Sequence, residues 1–159
     1  MARTQIILLM VVMTLTLLLG GCGEKEEKQV VTSGKVAQPI VIPESVQGQW
    51  KAVRIAILDK TNGRTEIYTV DLGSEFKIAG SDVRLRVENF LPAFVIEKKT
   101  LTSASNEPRN PAVQIVVSEN GKELFKGWLF SRFPAQHAFQ HKRFNFTLVD
   151  FIKQQEKKG

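Results

Sequence analysis

From Trp50 onward, apolar and polar residues alternate with a period of two in short runs set off by turn residues, a pattern of half-buried strands rather than helices. In the first run Val53, Ile55 and Ile57 share one side, while Ala56 and Leu58 leave the other side apolar except at Arg54, so this strand belongs inside a sheet. Asn62-Gly63 follows, a pair that tolerates positive φ at both positions and predicts a tight hairpin into a second strand over 64–71. Phe76, Lys77 and Ile78 make a short strand. In the next, 82–90, Val83, Leu85 and Val87 face a core while Arg84, Arg86 and Glu88 face water. Pro92 stops it, having no N–H for the ladder, and 93–97 is a short apolar piece. The stretch 98–111 reads as a long irregular loop. Val113, Ile115 and Val117 mark another strand, and Asn120-Gly121 turns it into 123–130. A second irregular stretch, 131–143, leads to a last strand over 144–152, where Phe144, Phe146 and Leu148 alternate with Asn145, Thr147 and Val149. About seven or eight strands at this spacing predict an all-β fold, a small antiparallel β-sandwich or barrel. Trp128 is expected in its core.

The N-terminal pattern is different. An apolar run from Ile6 to Leu19 follows Arg3 and is shorter than the ~20 residues a spanning helix needs. It ends in Leu19-Gly20-Gly21-Cys22, which resembles the lipobox cut by lipoprotein signal peptidase, and Cys22 is the one cysteine of the chain. The expected organisation is a cleaved lipoprotein signal peptide over 1–21, an acylated Cys22 heading a flexible tether over 22–47, a β domain over 48–152 and a disordered tail over 153–159. A spanning helix and a signal cleaved without lipidation are the competing readings. Within the tether, Ile40, Val41 and Ile42 are too apolar for plain linker and suggest an edge strand. Lipoproteins held at the inner membrane commonly carry aspartate after the acylated cysteine. Gly23 stands there, so the expected location is the outer membrane, facing the periplasm.

The net charge of +6 loses one unit with Arg3, and the remaining charges are scattered in both signs. A nucleic-acid footprint would cluster cations with aromatics on one face, so no nucleic-acid partner is expected. With Cys22 committed to lipid no internal disulfide forms, and the core alone holds the fold. The expected partners are the membrane, through the lipid, and an envelope protein or polymer.

Candidate chemistry is sparse. His137 and His141 are four apart and are weak candidates for a metal, since no third ligand lies near them in sequence and structural zinc takes four. Ser131 is the one serine near a histidine, without a Gly-x-Ser-x-Gly elbow. No cofactor is called for. The bland reading gives His141 a hydrogen-bonding role that closes the last hairpin onto Trp128. Charge and aromatic anchors combine in 131–143, where Arg132, Phe133, Phe139, Lys142 and Arg143 form the candidate partner-binding set, with 98–111 as a second loop beside it. The expected function is a non-enzymatic binding module on a lipid anchor. The alternative is a metal-dependent or hydrolytic envelope enzyme centred on His137 and His141.

The run Ala56-Ile57-Leu58-Asp59-Lys60-Thr61-Asn62-Gly63-Arg64, together with Gly127-Trp128-Leu129-Phe130, Pro134, His141, Phe144 and Leu148, resembles a bacterial domain of unknown function found in short exported proteins and lipoproteins. Many members of that family carry cysteines near the ends of the middle and last strands. Asn89 and Phe151 occupy those neighbourhoods here, so any such disulfide is missing. The resemblance implies an exported β domain and supplies no activity.

Overall fold

A computed structural model describes residues 38–136 and 139–155. Cys22, the expected signal peptide over 1–21 and His137 lie outside the described residues. Among the described residues nine strands follow one another: β1 (Trp50–Asp59), β2 (Arg64–Asp71), β3 (Glu75–Lys77), β4 (Val83–Leu91), β5 (Phe94–Glu97), β6 (Thr100–Ser103), β7 (Ala112–Glu119), β8 (Lys122–Phe130) and β9 (Phe144–Lys153). They form an antiparallel three-stranded sheet in the order β2-β1-β9, a four-stranded sheet β3-β4-β7-β8, and a two-stranded hairpin β5-β6. The two larger sheets make an open sandwich and no closed barrel.

Alternation decides which side chains meet between the sheets. Val53, Ile55 and Ile57 of the central strand β1, with Phe144, Phe146 and Leu148 beside them on β9, face Val83, Leu85 and Val87 of β4 and Val113, Ile115 and Val117 of β7, all buried in one cluster. Each such side chain contributes about 1.5–3 kcal/mol through area removed from water. On one flank the edge strands β2 and β3 meet through Tyr68 stacked on Phe76, ring centres 4.8 Å apart. Trp50 closes an end of the core, edge-on to Phe90 and Phe151 at 5.0 and 5.4 Å, and its Nε1–H donates to Asn106 Oδ1 at 2.6 Å.

Several expectations are corrected. Trp128 does not enter this core. On β8 the inward positions are Phe125, Gly127 and Leu129, so Trp128 and Phe130 point to the outer face and pack edge-to-face on Phe94 of β5, at 5.2 and 5.0 Å. The stretch 98–111 is not loop throughout, because 100–103 is β6, with Leu101, Thr102 and Ser103 buried. Of the expected tether, residues 38–47 pack on the domain: Ile40 bridges Leu101 in parallel and Val46 lies in the core. Two residues of the expected tail are also part of the domain, since Lys153 ends β9 and Gln154 N–H donates to Gln49 O.

The two Asn-Gly turns differ. Asn120 and Gly121 both have positive φ, 52° and 78°, and Glu119 pairs directly with Lys122, which is the predicted two-residue hairpin. Between β1 and β2 only Gly63 has positive φ, and the loop is four residues long, with Gly63 N–H donating to Asp59 O. Asn62 stays out of the left-handed region because its Oδ1 accepts from Arg64 N–H instead.

Candidate functional site

The segment 131–143 leaves β8 at Ser131, whose N–H donates to Pro111 O, and returns to β9 at Phe144. It crosses the flank where β8 and β9 come together, and Phe139 fills the seam. Its ring stacks on Phe125 of β8 at 4.6 Å and lies parallel to Phe146 of β9 at 6.2 Å. Gly127 makes room for this stack, since a Cβ there would come within 2.4 Å of the Phe125 ring.

The end of the segment is pinned by two side chains. Arg143 donates through Nε and Nη2 to Asp59 Oδ2 at 3.0 and 2.7 Å, and through Nη1 to Gly80 O at 2.9 Å, with its guanidinium 4.8 Å above the Phe144 ring. One cation thus ties the β1–β2 turn, the β3–β4 turn and the start of β9. Hydrogen bonds from Arg143 and from the Thr61 hydroxyl hold the Asp59 carboxyl far below the usual carboxylate range. His141 is 7% exposed. Its Nδ1 accepts from the N–H groups of Arg143 and Phe144 at 3.2 and 3.1 Å, so the ring proton sits on Nε2, 3.9 Å from Glu119 Oε1. The ring stacks on Phe144, and Lys60 Nζ donates to the His141 carbonyl. Burial pushes the imidazole pKa down, with help from the cations of Lys60, Lys142 and Arg143 against the pull of Glu119.

These placements divide the predicted set. Arg132 and Lys142 are exposed, and Phe133 is 48% exposed, available to a partner. Phe139 is partly buried in the seam. Arg143 is a structural clamp, which corrects its assignment to the binding set, because its guanidinium is already spent inside the protein. His141 is corrected as a metal ligand and as a base for Ser131: one ring nitrogen serves two backbone donors and the ring faces inward. Its partner ring is Phe144, not Trp128. Among the described residues no group of three or more His, Cys, Asp or Glu side chains is placed to hold a metal.

What the segment builds is a groove of about 530 Å³, with Pro134, Ala135, Phe139 and Gln140 on one wall and Asn145, Thr147 and Lys60 on the other. The parity of β9 explains half of it. Asn145 and Thr147 alternate with buried Phe144, Phe146 and Leu148 and therefore face outward. Neither residue belongs to the expected binding set, although the alternation signals their direction, and Lys60 joins them from the β1–β2 turn, where no alternation marks it. An apolar wall facing an amide, a hydroxyl and one ammonium suits an extended chain or polymer with both apolar and hydrogen-bonding groups. None of its described lining residues is a carboxylate.

The family model described as an uncharacterized protein conserved in bacteria matches residues 53–150, from β1 through β9, and so spans the segment and the groove. No curated protein and no solved structure matches the chain.

Proposed function

The chain belongs to the bacterial family DUF2155, whose members are uncharacterised, and we propose that it is a lipid-anchored, non-catalytic module of the cell envelope that binds a protein or polymer partner in the groove under 131–143. The observation that carries this reading is the groove itself, formed by a segment that also exposes Arg132, Phe133 and Lys142 and that is pinned by Arg143 and His141. An exposed arginine and an exposed aromatic ring in the segment that forms the cleft are residue types that dominate binding energy at interfaces. The Leu19-Gly20-Gly21-Cys22 sequence supports acylation at Cys22, and Gly23 supports the outer membrane, facing the periplasm.

Two measurements test it. Crosslinking in membranes followed by recovery of the full chain compares wild type with a protein carrying Arg132→Ala, Phe133→Ala and Lys142→Ala. Arg143 stays untouched, so melting temperature and membrane fractionation remain those of wild type. Partner recovery should fall about tenfold or more, the loss expected when hot-spot side chains are truncated. Recovery at wild-type yield rules out these three side chains as the partner-binding set. For the anchor, Cys22→Ser should lose label from a palmitate analogue and leave the membrane fraction. An unlabelled variant still as membrane-bound as wild type would place the anchor elsewhere.

A further inference from the structure

The β5–β6 hairpin has features that the groove does not use. Its two turn residues, Lys98 and Lys99, both have positive φ, 46° and 73°. This is the left-handed region where asparagine and glycine are at ease and long L side chains are not, and the chain uses Asn120-Gly121 for the same conformation elsewhere. Strain of this kind points toward a role for the side chains that cause it. Both lysines are exposed, and neither ammonium has a hydrogen-bond or ion-pair partner among the described residues. Ile96, 58% exposed, and Val41, 54% exposed, stand beside them. Ladder alternation puts these two on opposite faces of the small ribbon, and a rise of about 3.3 Å per residue keeps both within roughly 10 Å of its tip. Glu97 is the one carboxylate at the tip, leaving it net positive.

The third feature is where the chain enters. Leu101 N–H donates to Pro39 O and Val41 N–H donates to Leu101 O, so residues 39–41 run parallel to β6. Traced toward the N-terminus, the backbone therefore heads for the hairpin tip. The described residues begin on that side, at Gln38, near two exposed cations and two exposed aliphatic side chains.

We propose that the tip of the β5–β6 hairpin, with Val41 beside it, is a membrane-docking finger that sets Lys98 and Lys99 against anionic phospholipid headgroups and lowers Ile96 and Val41 into the interface. The inference takes the side on which the membrane lies from the lipid-anchor reading. Lysines act on an anionic surface within about a Debye length, ~8 Å at physiological salt, which is the reach of the tip. Interfacial segments enter about 5–10 Å deep, so a tip entering that far carries Ile96 and Val41, on its two faces, to the interface while the lysine stems reach back to the headgroups. Docked in this way, the domain would be oriented by its finger as well as held by its lipid.

The test uses the full chain carrying Ile96→Cys, purified from membranes, labelled with a polarity-sensitive fluorophore and reconstituted into phosphatidylcholine vesicles with or without phosphatidylglycerol. An acylated Cys22 has no free thiol, so one label per chain reports an intact anchor and two report its absence. The expected result is a blue-shifted, brighter emission in phosphatidylglycerol vesicles alone, reversed by salt. A label at Leu124→Cys, six residues and roughly 20 Å down β8 from Phe130, should keep its water-exposed emission throughout. Combining Lys98→Asn with Lys99→Gly removes both charges and supplies the residues these φ angles favour, so the fold is kept while the fraction of docked probe falls about tenfold or more. A probe at position 96 that stays in water on anchored protein overturns the proposal and leaves the anchor reading intact, as it would if the finger served an acidic protein instead. If two labels are found, the anchor reading fails. The proposal then stands or falls on whether phosphatidylglycerol vesicles alone still recruit the chain and shift the probe.

Discussion

Replacing Trp50 by alanine lowers the stability of the domain by about 3–5 kcal/mol, the range of large aromatic deletions in cores, while Trp128→Ala costs about 1–2 kcal/mol. The difference follows from what each ring touches. Trp50 is 7% exposed, meets Phe90 and Phe151 edge-on, and anchors Asn106 through its Nε1–H. Its removal opens a cavity and strips the Asn106 carbonyl of its donor. Trp128 keeps part of its surface in water and loses a single edge-to-face contact with Phe94. Urea unfolding of the two variants side by side measures the contrast. Equal midpoints would mean that the outer aromatic cluster is as essential as the core between the sheets.

The position of Trp128 shows how far the pattern of the chain could be followed. The alternation along β8 already placed Leu129 inside and its neighbour outside, and the size of the tryptophan ring outweighed that parity in the sequence reading. What the pattern could not show is that the outer face is covered too. The cover is the β5–β6 hairpin, and its turn is Lys98-Lys99, with neither glycine nor asparagine to announce positive φ. Without a recognisable turn, 98–111 reads as one loop. Strands β1, β4, β7 and β9 were legible because each buries one clean set of alternate residues or runs apolar on both faces between clear turns, whereas β2, exposed along most of its length, was legible through the Asn62-Gly63 turn before it.

The site was legible in location and misread in detail. Irregular sequence between two strong strands marked 131–143, but composition does not tell a free arginine from a spent one. Arg132 and Arg143 look alike in the chain, and only the approach of Asp59, 84 residues earlier, separates them. The two histidines raise the same problem. Four-residue spacing suggests a shared helical face, whereas the segment has no helix among its described residues and His141 turns inward to its own backbone.

That inward turn leads to the second large effect. His141→Leu should remove about 2–4 kcal/mol, because it leaves the N–H groups of Arg143 and Phe144 without an acceptor, and an unpaired buried donor costs about 1–3 kcal/mol. His141→Asn should restore most of the loss, since its Oδ1 lies as many bonds from the backbone as the imidazole Nδ1 and accepts as well. The same geometry sets a pH dependence. A proton added at Nδ1 would face two N–H donors in a buried site, with Lys60, Lys142 and Arg143 nearby and Glu119 alone opposing them. The folded-state pKa of His141 is therefore depressed below its ordinary 6.5, and the unfolded chain takes up the proton first. Stability is full above about pH 6.5, falls as the pH drops through that value, and stops falling below the folded-state pKa. Asp59, also depressed in the folded state, contributes its loss separately, only as the pH falls below the ordinary carboxylate range near 3.8. Between about pH 7 and pH 5 the slope thus belongs to the imidazole, and His141→Asn should flatten it. A wild-type protein whose urea midpoint is as high at about pH 5 as at pH 7 would show that the ring accepts its proton freely in the folded state, and that the two backbone bonds to Nδ1 do not hold the segment closed.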